Sequence, residues 1–315
     1  MLLALAGGVG GAKLAHGLSR VLRAEDLAIV VNVGDDFEHL GLYVSPDIDT
    51  VVYTLAGIAN PDSGWGVAGE TWSFMDALAT LGGETWFRLG DRDLATHVER
   101  TRRLAAGVPL SEVTRHLARQ LGVAPAVVPA SDDPIRTFVA TDEGEMEFQH
   151  YFVRRHCAPR VLRLSYRHAA AARPAMVGGE RWTAMEVTGV IICPSNPYLS
   201  IAPILAMPEA RAWLERRRFP VAAVSPIVAG RALKGPAAKI MAELGEEPSA
   251  VTVARFYAGL VDLFIVDTND GALAGEIRAL GMEPVVLDSV MNSLDDRQRL
   301  AREICALPVF AESRL

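Results

Sequence analysis

Seven short apolar runs separated by stretches of helical periodicity constrain this chain to an α/β fold: Met1 to Leu5, Leu27 to Val33, Thr85 to Leu89, Val187 to Cys193, Val221 to Val224, Leu263 to Val266 and Pro284 to Leu287. Such runs read as strands of a mostly parallel sheet with helices on both faces. The segment from Asp93 to Tyr166 breaks the alternation, with two polar helices and then a hairpin, Ile135 to Ala140 against Glu145 to Phe152 around Asp142-Glu143-Gly144. The expected architecture is a Rossmann-like core over residues 1–92 and 167–315 with an inserted α+β cap over residues 93–166. At 315 residues the chain is long enough to bury one full core with such an insertion.

The first run leads into Gly7-Gly8-Val9-Gly10-Gly11-Ala12-Lys13, after which Leu14, Ala15, Leu18, Val21 and Leu22 continue at helical spacing. A glycine loop at a helix N-terminus removes the Cβ wall and lets amides and the helix dipole converge on an anion. Gly8, Gly10, Gly11 and Lys13 are therefore candidate phosphate contacts. The loop fits neither common nucleotide fingerprint: Lys13 stands where a dinucleotide fold has its third glycine, and Ala12-Lys13-Leu14 lacks the glycine and hydroxyl of a P-loop. A tight strand-to-helix turn without a ligand is the plain alternative.

A formal net charge of −7 argues against general nucleic-acid binding, and no apolar run approaches the roughly 18 residues of a membrane span. The N-terminus lacks a charged region ahead of its apolar stretch, so a cytoplasmic protein is expected. Three widely spaced cysteines, Cys157, Cys193 and Cys305, suggest neither a disulfide framework nor a zinc site. Of 31 basic residues only Lys13, Lys234 and Lys239 are lysines, and all three lie in or beside glycine loops, where a compact ammonium suits phosphate.

Polar, turn-forming segments follow the runs: Asn32-Val33-Gly34-Asp35-Asp36, Gly90-Asp91-Arg92-Asp93, Pro194-Ser195-Asn196, Ser225 to Gly230 with Lys234, and Asp267-Thr268-Asn269-Asp270. In an open α/β sheet the carboxyl ends of the strands are where ligands bind, so these segments read as one rim. Asp35, Asp36, Asp47 and Asp49 fall within fifteen residues. Carboxylates this crowded need a cation, and Mg²⁺ beside a phosphate loop is the natural one, with Asp35, Asp36 and Asp49 as candidate ligands. Asp47, at a helix start, reads instead as a cap. The seven histidines show no ligand spacing, and Trp65, Trp72, Trp86, Phe74 and Phe87 read mostly as core.

These residues together carry a resemblance. Gly7 to Leu14, Asn32 to Asp36, Tyr43 to Thr50, Trp86 to Leu94, Ser131 to Pro134, Phe148 to Arg155, Pro194 to Pro197 and Lys234-Gly235-Pro236 are similar to the 2-phospho-L-lactate transferase family of deazaflavin coenzyme biosynthesis, in the right order from the first strand to Asp288. Val33, where Thr is usual, and His150, where Glu is usual, depart from its pattern.

The resemblance implies a magnesium-dependent transferase in the pathway to coenzyme F-420. It would move a phosphorylated three-carbon acid from its guanosine diphosphate derivative to the ribityl hydroxyl of the deazaflavin Fo, releasing GMP. The positions matching the family's deazaflavin contacts are Asp49 and Arg88, and Asp36 and Asp49 are the expected catalytic pair. Ser195, Asn196, Lys234, Asp267 and Asn269 join the glycine loop as expected phosphate and nucleotide contacts, with Asp267 or Asp270 accepting from the guanine N–H groups. A homodimer is expected. The competing expectations are a non-catalytic nucleotide- or sugar-phosphate-binding regulator resembling the gluconeogenesis-factor proteins, and a dinucleotide oxidoreductase, which the missing third glycine disfavours.

Overall fold

The computed structural model describes residues 1–311. Its central sheet holds seven strands: β1 (Leu2–Ala6), β2 (Leu27–Val31), β3 (Ala126–Pro129), β4 (Gly189–Ile192), β5 (Val221–Val224), β6 (Leu263–Asp267) and β7 (Glu283–Leu287), in the spatial order β7-β6-β5-β4-β1-β2-β3. Every neighbouring pair is parallel. All residues of β1, β2, β4, β5 and β6 are buried, as continuous apolar strands require when helices cover both faces. From β1 the chain builds outward to β2 and β3, then returns to the other side of β1 as β4 and builds outward again. The strand order therefore reverses between β1 and β4, and the crevice outside their carboxyl ends is where such a sheet takes a ligand.

Six of the seven expected runs are strands, and Thr85 to Leu89 is not. Its aromatic side chains pack on other rings: Phe87 lies edge-on to Phe37 with centroids 4.8 Å apart, and Trp86 packs on His39 at 5.1 Å. The vacant edge beside β2 is filled by Ala126–Pro129, which prolines on both sides disguise as a loop. An edge is where a strand tolerates proline.

That strand also corrects the expected division of the chain. The 93–166 segment supplies a strand of the central sheet, so it is not a separate cap. Its helices are α3 (Asp91–Ala105) and α4 (Leu110–Gln120), which follow α1 (Gly8–Val21) and α2 (Pro46–Ala56) in the chain. The hairpin forms from Arg136–Thr141 and Gly144–Glu147, but from Phe148 onward the chain coils into a helical turn, and Val161–Arg167 completes a three-stranded antiparallel sheet. No helix among the described residues is long and apolar enough to cross a membrane.

Helix α1 packs between α2 and α5 (Leu294–Cys305). The approach to α5 is close: a Cβ on Gly17 would collide with the Arg297 carbonyl, so only glycine fits. Beside it, buried His16 sits between two arginines, with Arg20 Nε 3.2 Å from Nε2 and Arg297 3.0 Å from Nδ1. Burial first, and then the Arg297 and Arg20 charges, push its pKa down to about 4.

A lowered histidine pKa stabilises the fold above the unfolded value near 6.5, and this contribution is lost as pH falls toward 4. We expect His16→Gln to lose less stability than the native chain between pH 7 and pH 4.5, by on the order of 2 kcal/mol in urea unfolding. Parallel pH profiles for the two proteins would refute this.

Candidate active site

A cavity of about 410 Å³ opens at the strand-order reversal. The glycine loop after β1, Asp35 after β2, Pro194 to Asn196 after β4 and Ser225 after β5 form one side, while Phe87, Arg88, Asp93 and His97, with Phe148 and Gln149, form the other. Its size suits a small-molecule site. Of the expected site residues, Gly8, Gly10, Lys13, Asp35, Asp49, Arg88, Ser195, Asn196 and Lys234 line it. Gly11, Asp36, Asp267 and Asn269 do not.

The glycine loop is held from three directions. Ser195 Oγ accepts the Gly7 amide at 3.0 Å and donates to the Gly7 carbonyl at 2.9 Å, locking the turns after β1 and β4 together. Asp47 accepts the Gly8 amide at 2.7 Å, and Gly8 adopts the left-handed conformation, φ 59°, that favours glycine. Gly10 and Gly11 are glycine for a different reason from the expected one: a Cβ there would strike the Pro194 carbonyl oxygen and Ser195 Oγ respectively. They let the loop sit against the β4 turn. The first turn of α1 still directs its remaining free amides and positive dipole end at the cavity.

Asp47 was expected to cap α2, yet no side chain caps that helix and the Asp47 carboxylate reaches the glycine loop instead. The residue that gathers the acids is Asn32, fully buried. Its amide nitrogen lies 2.6 Å from Asp35 Oδ1, 3.0 Å from Asp47 Oδ2 and 3.1 Å from the Leu199 carbonyl, while its Oδ1 accepts from Gly34. Burial and the neighbouring Asp47 and Asp36 charges push Asp35 well above the usual carboxylate range. Burial raises Asp47 to about 6 against hydrogen bonds from Asn32, Gly8 and Ser200.

Asp36 points away from the cavity. It accepts from Ser45 Oγ at 3.0 Å and Tyr43 OH at 3.1 Å, and its Oδ1 is buried with no partner. Burial lifts its pKa to about 7 against the Arg136 and Arg100 charges.

Asp49 belongs to a second network. Arg100, fully buried on α3, engages both of its oxygens, one at 3.0 Å and the other closer still. His97 Nδ1 lies 3.7 Å from Asp49 and its Nε2 3.3 Å from Asp93, which also accepts from Tyr53 OH at 2.7 Å. His97 thus has a place in the cavity wall that its isolated position in the sequence did not suggest.

The expected metal set is accordingly rearranged. Among the described residues, the group whose ligand atoms lie close together is Asp49, Asp93 and His97, not Asp35, Asp36 and Asp49. There the Arg100 guanidinium already neutralises Asp49, which disfavours a cation. Asp35 and Asp47 are the better donors: both face the cavity beside the glycine loop, share one amide donor, and carry raised pKa values that a cation would reverse.

The far side is cationic. Lys13 donates to the Met291 carbonyl at 2.7 Å, and burial, then Arg297 and Lys234, lower its pKa. Exposed Lys234 lines the same end, whereas Lys239 is bound to Glu243, Tyr151 and the Pro159 carbonyl away from the cavity. Asp267 has both oxygens committed, to Asn269 and to Ser289, and Asp270 accepts from the Ala229 amide. Neither acid lines the cavity. Asn196 lines the cavity while its Oδ1 caps the turn that follows.

Two of the aromatic residues read mostly as core, Trp65, 53% exposed, and Phe87, line the cavity. The Arg88 guanidinium stacks on Trp72 with 4.1 Å to the ring centroid. His150 packs edge-on to Trp86 at 4.6 Å.

A family model described as 2-phospho-L-lactate transferase CofD matches residues 2–306. The chain is 40% identical over 312 residues to a phosphoenolpyruvate transferase of Streptomyces avermitilis, with 97% of each chain covered. It is 36% identical over 306 residues to a 2-phospho-L-lactate transferase of Methanosarcina acetivorans, covering 97% of this chain and 98% of that one. A solved structure of a upf0052 family member from Bacillus halodurans shares the fold, with a TM-score of 0.62 at 13% identity and coverage of 96% and 97%.

Because Gly10 is in contact with the β4 turn, substitution there should be felt as overpacking first. Gly10→Ala is expected to lose about 1–3 kcal/mol of stability in urea unfolding. An unchanged midpoint would mean that the two loops separate freely.

Proposed function

The chain belongs to the 2-phospho-L-lactate transferase family, and from that membership we propose that it moves a phosphorylated three-carbon acid from a guanosine diphosphate derivative to the deazaflavin Fo, releasing GMP. The observation that supports this reading is the shared cavity, whose lining includes Asp49 and Arg88 together with the glycine loop, Lys13 and Lys234. A donor diphosphate over the α1 N-terminus and a flat acceptor beside Phe87 and Arg88 would bring the attacking hydroxyl toward the phosphorus. Transfer of this type depends mostly on positioning and charge stabilisation.

In this reading Lys13, Lys234 and the first-turn amides of α1 bind the donor phosphates and stabilise charge on the departing GMP. Arg88, preset by Trp72, and Asp49 orient the acceptor. With both oxygens engaged by Arg100, the Asp49 carboxylate is fixed in orientation, which suits accepting a hydrogen bond from a hydroxyl and holding it in place. Asp35 and Asp47 are the residues that would hold Mg²⁺. When bound, the ion neutralises phosphate charge.

The decisive measurement incubates the purified protein with Fo and each guanylylated acid, 2-phospholactate, phosphoenolpyruvate and phosphoglycerate, and identifies products by mass. A phosphodiester of Fo with equimolar GMP is expected, and chelation should abolish it. Donor binding without any product would favour the non-catalytic regulator. Product formation at an unchanged rate after complete chelation would remove Mg²⁺ from the proposal.

The two acids expected to be catalytic should now part company. Asp49→Asn is expected to lower turnover about a hundredfold, on the order of 3 kcal/mol of barrier. Asp36→Asn, behind the cavity wall, should cost less than about tenfold. Asp49→Asn also unbalances a buried ion pair, so rates must be compared well below both thermal midpoints. Equal losses in the two variants would contradict the assignment.

A further inference from the structure

Arg100 is the largest buried cation in the fold and lies outside every motif that pointed to the site. Its guanidinium engages both Asp49 oxygens, lies 3.2 Å from His97 Nδ1 and reaches the Tyr43 carbonyl at 3.4 Å. It arrives on α3 in the series Asp93, His97, Arg100, one face of the helix, which meets Asp49 and Tyr53 on one face of α2. An arginine buried this completely is poorly explained by stability, since apolar residues of similar volume commonly replace such pairs at no loss. What a bidentate guanidinium does supply is orientation, because its planar fork fixes both oxygens of a carboxylate at once.

We propose that Arg100 is a positioning residue for the acceptor: it holds both oxygens of the Asp49 carboxylate in one orientation at the cavity wall, so that the incoming deazaflavin meets a fixed acceptor group. Between the same two helices, Tyr53 on α2 donates to Asp93 on α3, and His97 on α3 lies beside Asp49 on α2. Tyr43 extends the arrangement, since the carbonyl facing Arg100 belongs to the residue whose hydroxyl contacts Asp36 and accepts from Arg136 at 3.4 Å. The inference rests on the acceptor role of Asp49 and adds the group that makes that role geometrically specific.

The test separates acceptor from donor. Arg100→Lys keeps the charge but loses the fork, and should raise the acceptor KM at least about fivefold while the donor KM stays within about twofold. Arg100→Met should raise the acceptor KM further. In an Asp49→Asn background, Arg100→Met should add no further loss of acceptor affinity, because the group it positions is already altered. Equal changes in both KM values, or losses that multiply in the double variant, would show a structural residue only. If the Met variant does not fold, the Lys variant carries the test. A native chain with no transferase activity overturns the proposed reaction and this inference with it, whereas an active native chain whose Lys variant keeps its acceptor KM overturns the inference alone.

Discussion

The floor of the site depends on one amide. Asn32 stands at the end of β2 with no exposure to water, and its nitrogen serves Asp35, Asp47 and the Leu199 carbonyl while its oxygen fixes Gly34. Two carboxylates in a buried space repel, and a side chain that donates without carrying charge holds them together without cancelling their attraction for a cation. Through Asp47 the same amide governs the glycine loop, and through Leu199 it reaches the segment after β4. Removing the amide would take a donor from Asp35, Asp47 and the Leu199 carbonyl at once, and a buried acceptor left short of a partner costs far more than a surface hydrogen bond contributes.

The strand-order reversal gives that amide its leverage. Turns after β1 and β4 have to meet across it, and they do so through the Ser195 hydroxyl, which both accepts from and donates to Gly7. The crowding at Gly10 and Gly11 has the same origin, since two turns meeting this closely leave no room for a side chain. Glycine is needed here for packing between turns.

Much of this was readable in advance because it is local. Short apolar runs marked six of seven central strands, and the glycine loop, Asp35 and Lys234 belong to polar turns at one end of parallel strands, whereas Arg88 was legible only through the family resemblance and Asp49 through the crowding of acids and that resemblance. The misses are non-local. Ala126–Pro129 is a strand only because β2 has a free edge, and Trp86 and Phe87 avoid the sheet only because Phe37 and His39 wait elsewhere. His97 and Arg100 belong to a polar helix that looks like a solvated surface until α2 presents Asp49 to it. Asp47 and Asp267 show the converse: each sits where a local rule assigns a role, and a partner distant in sequence, Gly8 or Ser289, claims the carboxylate.

Strand β3 has a mechanical consequence. The segment that roofs the cavity, from α3 through Val161–Arg167, is stitched by β3 into the same hydrogen-bonded sheet as the glycine loop's own strand. Swinging that whole segment open as one body would break the parallel ladder between β3 and β2. The turn carrying Trp65 and the Leu233 to Pro236 loop also line the cavity and lie outside that ladder. The spacing across the cavity between the glycine loop and the segment that roofs it is thereby tied to the pairing of β3 with β2.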